Sequence, residues 1–307
     1  MESDPTQITH DFPPFFRVHS TGQIERYITH DFVPAGHDPQ TDVVSKDILI
    51  SPETPLSVRL YLPKIPQSDP KPPLIFYTHG GGFSIESAFS STYHRHLNSL
   101  ASLSRSLIVS VDYRLAPEHP IPACYDDSFA ALKWLDDPSR SDPWITDHAD
   151  LRRVYLAGDS AGANIAHNTL VRARSEGGFE IGFAGLILVH PFFGIGKADR
   201  VWDYICPGSG GVDDPRLHPM AHPGEMAGLG CGRVLVCVAE KDFLRSRGLG
   251  YYRSLKESGW NGVVEMFETP EEPHVFHLLD PTCANATALQ TRIVQFVNSG
   301  VRVVSSV

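Results

Sequence analysis

The sequence predicts an α/β fold with a central, mostly parallel sheet of eight strands flanked by helices. Short runs of Val, Leu and Ile alternate with longer helix-like segments, which is the pattern of strand and crossover-helix units. The later runs are almost continuously apolar, as strands buried on both faces are, whereas residues 57–61 alternate like a half-exposed antiparallel strand. We therefore expect a sheet that is mixed at its start and parallel afterwards.

Eight apolar runs are the candidate strands, and two long segments between them lack any clear period. The runs cover residues 47–50, 58–62, 74–78, 107–111, 154–157, 186–189, 234–238 and 263–267. Long segments of this kind inside a compact domain are usually functional, so we expect residues 1–45 and 192–230 to form a cap over the carboxyl edge of the sheet. Because α/β folds of this length are often one domain, we predict that residues 1–307 form a single domain.

Composition and charge exclude several classes of function. The net charge of -10 disfavours binding to nucleic acid, because such binding needs clustered Lys and Arg. No run approaches the roughly 18 apolar residues that cross a bilayer, and no secretory signal is apparent. The five cysteines show no C-x-x-C spacing and are expected to be reduced and buried. We expect a cytoplasmic protein, a monomer or weak homodimer, that binds a small neutral or apolar molecule.

A candidate nucleophile lies in residues 158–162, Gly-Asp-Ser-Ala-Gly, which match the pattern G-x-S-x-G. The pattern directly follows the fifth candidate strand and precedes a helix-like segment, which is the context of a nucleophile turn. Glycines on both sides relieve steric clashes at such a sharp turn. A Gly-Ser turn that only caps a helix is the alternative, and the strand-turn-helix context favours Ser160 as nucleophile.

A serine hydroxyl needs a base, and the base needs an acid to orient it. In folds with this nucleophile turn, the acid follows the seventh strand and the histidine follows the eighth. Glu240 and Asp242 are the candidate acids, and we choose Asp242 because it lies further into its loop. His274 and His277 are the candidate bases, and we choose His274 because His277 is expected to lie one turn into a helix.

A glycine-rich loop, His-Gly-Gly-Gly at residues 79–82, follows the third strand. Such a loop provides backbone N–H groups to the oxyanion that forms on a substrate carbonyl, so we predict an oxyanion hole of Gly81, Gly82 and Ala161. His79 is expected to hold the shape of the loop. A phosphate-binding loop is disfavoured, because neither G-x-G-x-x-G nor G-x-x-x-x-G-K-[ST] occurs in the required context.

The substrate pocket should be mostly apolar and should need no metal and no organic cofactor. Phe83, Phe193 and Val275 flank the predicted catalytic loops, so we expect them to line this pocket.

These motifs together resemble the plant carboxylesterase branch of the hormone-sensitive-lipase-like α/β-hydrolases. The resemblance covers residues 47–296, and further matching segments are residues 111–120, 164–167, 213–215, 233–242 and 274–278. The resemblance implies a triad of Ser160, Asp242 and His274, an oxyanion hole of Gly81, Gly82 and Ala161, and an N-terminal cap above the pocket.

The resemblance leaves three functions to compare. Hydrolysis of small, short-acyl carboxylic esters through an acyl-enzyme is favoured by Ser160 together with His274. The 2-hydroxyisoflavanone dehydratases are relatives that eliminate water, often with threonine in place of the serine, and the same His–Asp pair could abstract a proton next to a carbonyl. Gibberellin receptors are relatives without the catalytic histidine, so His274 argues against a hormone receptor.

Overall fold

Strands and helices alternate along most of the chain in the computed structural model, which describes residues 7–66, 68–139 and 142–299. The strands are β1 (Ile8–Phe12), β2 (Phe16–His19), β3 (Ile24–Arg26), β4 (His37–Asp38), β5 (Val43–Ser51), β6 (Leu56–Pro63), β7 (Leu74–Thr78), β8 (Leu107–Asp112), β9 (Val154–Asp159), β10 (Phe183–Val189), β11 (Arg233–Ala239) and β12 (Val263–Thr269). The helices are α1 (Ser91–Ser104), α2 (Ala123–Asp136), α3 (Pro143–His148), α4 (Ala161–Glu176), α5 (Arg200–Ile205), α6 (Pro223–Ala227), α7 (Arg245–Glu257), α8 (Phe276–Leu279) and α9 (Ala284–Asn298). Short 3-10 turns lie at Gly211–Asp213 and Pro219–Ala221.

The main sheet has nine strands among the described residues, in the order β12-β11-β10-β9-β7-β8-β6-β5-β4. From β8 to β12 the neighbouring strands are parallel, whereas β6 pairs antiparallel with both β8 and β5. All eight predicted runs are strands of this sheet, which confirms a mostly parallel sheet that is mixed at its start. The ninth strand, β4, was not predicted because its two residues, His37 and Asp38, carry no apolar signal.

Helices cover both faces of the main sheet, because successive side chains of a buried strand point to opposite faces. In β11, Val236 packs into the cluster that includes Phe129 of α2 and Leu170 of α4. Its neighbour Leu235 packs into the other cluster, which includes Ile293 of α9. Two apolar layers therefore hold the sheet, and the carboxyl ends of its parallel strands meet at one edge.

A second, small sheet lies at the N-terminal end of the described chain, in the order β1-β2-β3. The ring of Tyr204 in α5 lies 4.9 Å from the ring of Phe12 and 6.0 Å from that of Phe16. The two segments expected to form a cap, residues 1–45 and 192–230, therefore contact each other. Residues 1–6 of the first segment lie outside the described residues.

The described chain shows no helix with an apolar stretch long enough to cross a lipid bilayer. All five cysteines are free thiols, and four of them are buried. Burial raises the pKa of the Cys231 and Cys237 thiols to about 12, so these two are poor nucleophiles at neutral pH.

Buried histidines make acid destabilisation of the fold an expected result. Burial lowers the pKa of His79 and His96 to about 4 and that of His167 and His190 to about 3, and it holds the pKa of His277 well below its usual value. In the unfolded chain a histidine titrates near 6.5, so the unfolded state binds more protons as the pH falls below about 6.5. The free energy of unfolding should then decrease by ~1.4 kcal/mol per pH unit for each such histidine down to about pH 4.

Denaturant unfolding at several pH values between 7 and 4.5 measures this slope. Glu86 acts in the opposite direction, because burial raises its pKa to about 7 and its folded form binds a proton more readily than its unfolded form. Over this pH range, Glu86 should cancel the contribution of one histidine to the slope of the unfolding free energy. The variant His167→Leu should make the slope shallower by one histidine's share, and an unchanged slope would contradict the expectation.

Candidate active site

Ser160 lies at a sharp turn between β9 and α4, with φ 52° and ψ -119°. Its N–H donates to the carbonyl of Val189 at 2.9 Å, and its carbonyl accepts from the N–H of Phe192 at 3.0 Å. A Cβ on Gly162 would lie 2.1 Å from the carbonyl oxygen of Thr78, so the close approach of the β7 end requires glycine. The turn therefore fixes Ser160 at the carboxyl edge of the sheet.

His274 and Asp242 lie beside Ser160 in a hydrogen-bonded chain. His274 is in the loop between β12 and α8, and its Nε2 lies 3.0 Å from Ser160 Oγ. Its Nδ1 lies 2.8 Å from Asp242 Oδ2. The other carboxylate oxygen of Asp242 accepts from the N–H of Leu244 at 2.7 Å. The Asp242 side chain is 1% exposed and that of His274 is 19% exposed, so the acid is sealed while the imidazole is accessible.

The two competing candidates, Glu240 and His277, have other partners. Glu240 is exposed, and its carboxylate accepts from the N–H of Glu271 at 2.8 Å. His277 is on α8 and is buried, with its ring 5.2 Å from the ring of His96. The structure thus brings together the three side chains chosen from the sequence and directs the two rejected ones elsewhere.

The glycine loop after β7 has positive φ at Gly81 and Gly82, where a Cβ would also clash with neighbouring atoms. Gly81 has φ +101° and Gly82 has φ +58°, and a Cβ would lie 2.2 Å from the carbonyl oxygen of Ile85 or 2.4 Å from the ring of Phe15, respectively. Within the described part of the chain, the N–H groups of Gly81, Gly82 and Ala161 donate to no protein acceptor. These three donors are therefore available to an oxygen atom of a ligand.

His79 holds the glycine loop, as expected from its position. Its ring stacks on Tyr113 at 4.2 Å, and its Nδ1 donates to the carbonyl of Gly80 at 2.8 Å. The Tyr113 hydroxyl donates to the carbonyl of His79 at 2.7 Å. Because burial lowers the pKa of His79 to about 4, its ring is neutral at physiological pH.

A buried polar network that was not predicted from the sequence connects the nucleophile turn to the glycine loop. The Asp159 carboxylate accepts from the hydroxyls of Tyr77 and Tyr93, each at 2.8 Å. The Tyr93 hydroxyl also accepts from the N–H of Gly80 at 2.7 Å. Burial raises the pKa of Asp159, and the tyrosine hydrogen bonds oppose that rise. The useful signal was a carboxylate at the end of a buried strand, where buried polar groups must find partners.

The aromatic residues near the site are packed against one another. The Phe83 ring lies 5.8 Å from that of Phe192 and 5.9 Å from that of Trp202. The Phe193 ring stacks on Tyr251 at 4.8 Å. Phe83 and Phe193 are both fully buried, so their contact with a substrate stays a prediction. Phe192, which was not predicted, is only half-buried and is bonded through its backbone to the nucleophile turn.

A further histidine, His190, borders the site. Its Nδ1 accepts from the N–H of Val275 at 3.0 Å. Val275, one of the predicted pocket residues, therefore lies beside His190. Potential ligand atoms of His190, Asp242 and His274 lie within 4.8 Å of one another, close enough to hold a metal ion. Because His190 Nδ1 is bonded to Val275 and His274 Nδ1 to Asp242, we interpret this cluster as a hydrogen-bonded array.

Comparisons with known proteins show which fold and which group of proteins this chain resembles. A family model described as alpha/beta hydrolase fold matches residues 75–278. The chain is 42% identical to a 2-hydroxyisoflavanone dehydratase from Glycyrrhiza echinata over 95% of this chain and 96% of that protein. It is also 42% identical to probable carboxylesterase 2 from Arabidopsis thaliana, over 97% and 99%. A hyperthermophilic esterase from Pyrobaculum calidifontis is similar in structure, with a TM-score of 0.66, 28% identity and coverage of 83% and 85%.

Proposed function

Because this chain belongs to the α/β-hydrolase fold family, in the group that includes plant carboxylesterases and 2-hydroxyisoflavanone dehydratases, we propose that it hydrolyses small carboxylic esters. The observation that supports this most directly is the chain of contacts from Ser160 Oγ through the His274 imidazole to Asp242. Among the residues that the structure describes, the N–H groups of Gly81 and Gly82 on the glycine loop and of Ala161 at the start of α4 have no protein acceptor. Nucleophile, base, orienting acid and oxyanion donors are the set that acyl transfer requires.

The first half of the reaction forms an acyl-enzyme. His274 Nε2 takes the proton of Ser160 while Oγ attacks the ester carbonyl carbon, and Asp242 stabilises the imidazolium that results. The carbonyl oxygen becomes an oxyanion that accepts hydrogen bonds from Gly81, Gly82 and Ala161. The intermediate collapses when His274 gives its proton to the alcohol oxygen, which breaks the carbon–oxygen bond and releases the alcohol.

The second half returns the serine. A water molecule gives a proton to His274 and attacks the acyl carbon, which forms a second tetrahedral intermediate on the same N–H donors. His274 then returns the proton to Ser160 Oγ, and the carboxylic acid leaves. Ser160, His274, the ester and one water molecule account for every proton and bond in this cycle. The cycle requires no metal and no organic cofactor.

We also propose that the N-terminal sheet and residues 192–230 form a cap over the site. The Phe15 ring packs against Gly82, and the Arg26 side chain donates to the carbonyl of Ser84 at 2.7 Å. The ring of Trp202 in α5 packs against Phe83 next to the same loop. With these groups packed so close to the oxyanion loop, we expect short acyl groups to be accepted better than long ones.

A second reaction, elimination of water, is favoured by the 42% identity to a 2-hydroxyisoflavanone dehydratase. In that reaction His274 would remove the proton next to a ketone, and the enolate oxygen would accept from the N–H groups of Gly81, Gly82 and Ala161. The β-hydroxyl would then leave as water with the proton from His274. Ser160 would form no bond to the substrate, which separates the two reactions experimentally.

Hydrolysis of nitrophenyl acetate, butyrate, octanoate and dodecanoate by the wild-type protein tests the proposal, with dehydration of 2-hydroxyisoflavanone measured alongside. We expect turnover that is highest on the two shortest esters, and labelling of Ser160 by a fluorophosphonate, located by mass spectrometry. Dehydration without hydrolysis of any ester would overturn the proposal in favour of elimination.

Gly81→Ala should weaken the oxyanion hole. The added Cβ would clash with the carbonyl of Ile85 and must displace the loop. At least one N–H group of the loop should then no longer point at the substrate oxyanion. Loss of one oxyanion donor typically costs on the order of 10²- to 10³-fold in kcat. The matched control is Gly232→Ala, where a Cβ meets nothing within 4 Å. Steady-state kinetics on nitrophenyl acetate measure both variants, and equal kcat values would contradict the assignment.

A further inference from the structure

His190 is buried beside the proposed base, yet it has no role in the reaction described above. It directly follows β10, is 1% exposed and has φ 48°. Its own N–H donates to the carbonyl of Cys237 on β11 at 2.8 Å, which fixes its backbone to the neighbouring strand of the main sheet. The backbone of the residue is therefore anchored to the main sheet, while its side chain contacts the loop that carries His274.

The contact with Val275 defines the state of the His190 ring. A backbone N–H can only donate, so His190 Nδ1, at 3.0 Å from it, must be unprotonated and the ring proton must be on Nε2. Burial lowers the pKa of His190 to about 3, which keeps the ring neutral and this acceptor available at physiological pH. His190 Nδ1 can therefore accept this hydrogen bond at neutral pH.

The loop at Val275 needs such a restraint. Val275 has φ 47°, in the left-handed region that a β-branched residue rarely adopts, so its conformation must be held by its surroundings. Val275 follows His274 directly and precedes α8. A change in its backbone would therefore reorient the imidazole that lies 3.0 Å from Ser160 Oγ and 2.8 Å from Asp242.

We propose that His190 is a positioning residue, whose Nδ1 holds the backbone of Val275 and thereby aims the imidazole of His274 at Ser160. This inference rests on the proposed function of Ser160 and His274. The ring of His190 lies 5.8 Å from that of His274 and is enclosed on its other sides by Phe276 at 5.7 Å and His277 at 5.5 Å. The enclosed ring fixes the acceptor at one place relative to the catalytic loop.

Two substitutions at position 190 separate the acceptor from the volume of the ring. His190→Asn keeps an acceptor near the position of Nδ1, whereas His190→Leu fills similar space without one. His190→Leu should lower kcat on nitrophenyl acetate by on the order of 10²-fold, because the imidazole of His274 is displaced. KM should change little, because the groups that bind the substrate are unaffected. His190→Asn should recover most of that loss. His167→Leu is the control, since His167 is equally buried and its Nδ1 faces the Tyr251 hydroxyl at 3.1 Å.

Amide hydrogen exchange at Val275 tests the same bond without reference to activity. Loss of one hydrogen bond should speed exchange of this amide by about 3- to 10-fold in folded His190→Leu, and His190→Asn should exchange close to the wild-type rate. Thermal unfolding of each variant establishes that it is folded.

The outcomes distinguish this inference from the proposed function. If the wild-type protein hydrolyses no ester, the proposed function fails, and the Val275 exchange rate still decides whether His190 holds the loop. If the wild type is active, kcat of folded His190→Leu near the wild-type value overturns the inference. Equal losses in His190→Leu and His190→Asn, or an equal loss in His167→Leu, also overturn it.

Discussion

Replacing Ser160 by alanine is expected to lower kcat for ester hydrolysis by on the order of 10⁵- to 10⁶-fold. The substitution removes the only oxygen that lies within hydrogen-bond distance of His274 Nε2 in the described contacts, at 3.0 Å. Without it no acyl-enzyme forms, and the remaining rate comes from the oxyanion donors and from binding alone. Kinetics on nitrophenyl acetate measure the loss, and intact-protein mass spectra after fluorophosphonate treatment should show no adduct.

The matched control is Ser128→Ala on α2. Ser128 is also buried, and its hydroxyl donates to the carbonyl of Cys124, one turn earlier on the same helix, at 2.8 Å. Its removal tests the loss of one buried hydroxyl and should leave kcat near the wild-type value. A Ser160→Ala protein that keeps more than about one hundredth of wild-type hydrolysis would show that another group is the nucleophile.

Asp242→Asn is expected to lower kcat by about 10⁴-fold while leaving the fold intact. An asparagine at this position can present its NH₂ group to His274 Nδ1, which favours the tautomer with the proton on Nε2 and removes the acceptor for the Ser160 proton. The carboxylate also stabilises the imidazolium, and the neutral amide does so far less. The pH dependence of kcat/KM, measured with kcat, reports both effects.

Glu240→Gln is the control for the acid, since Glu240 follows the same strand two residues earlier. Its carboxylate accepts from the N–H of Glu271 and is exposed, so its loss should change kcat by no more than about twofold. A greater loss for Glu240→Gln than for Asp242→Asn would transfer the role of acid to Glu240.

The sequence was sufficient for the main sheet because its parallel strands are buried on both faces and therefore read as continuous apolar runs. The strands of the N-terminal sheet were not predicted. The residues of β1 are mostly exposed, and β3 has only three residues, so neither carries a periodic apolar signal. These strands depend on contacts with later parts of the chain, such as that between Phe12 and Tyr204.

In the candidate site, too, some residues could be predicted from the sequence and others depend on contacts between distant parts of the chain. Ser160, Asp242 and His274 could be chosen because each lies in the turn or loop that follows a predicted strand, and chain order in this fold fixes the rest. His190 also follows a strand, but its contact with Val275 depends on the path of a loop that sequence does not reveal. The substrate contact of Phe193 stays a prediction, and the sequence did not show that the neighbouring Phe192 would be the less buried of the two rings.

The N-terminal sheet also has a consequence for biosynthesis. Residues 8–26 are translated well before their partners, among them Ser84 and Tyr204. Such non-local contacts form only after the intervening chain has been made and has folded. The strands of the N-terminal sheet are therefore made early but pack late, and a nascent chain arrested before residue 204 would expose aromatic side chains of this segment, such as Phe12.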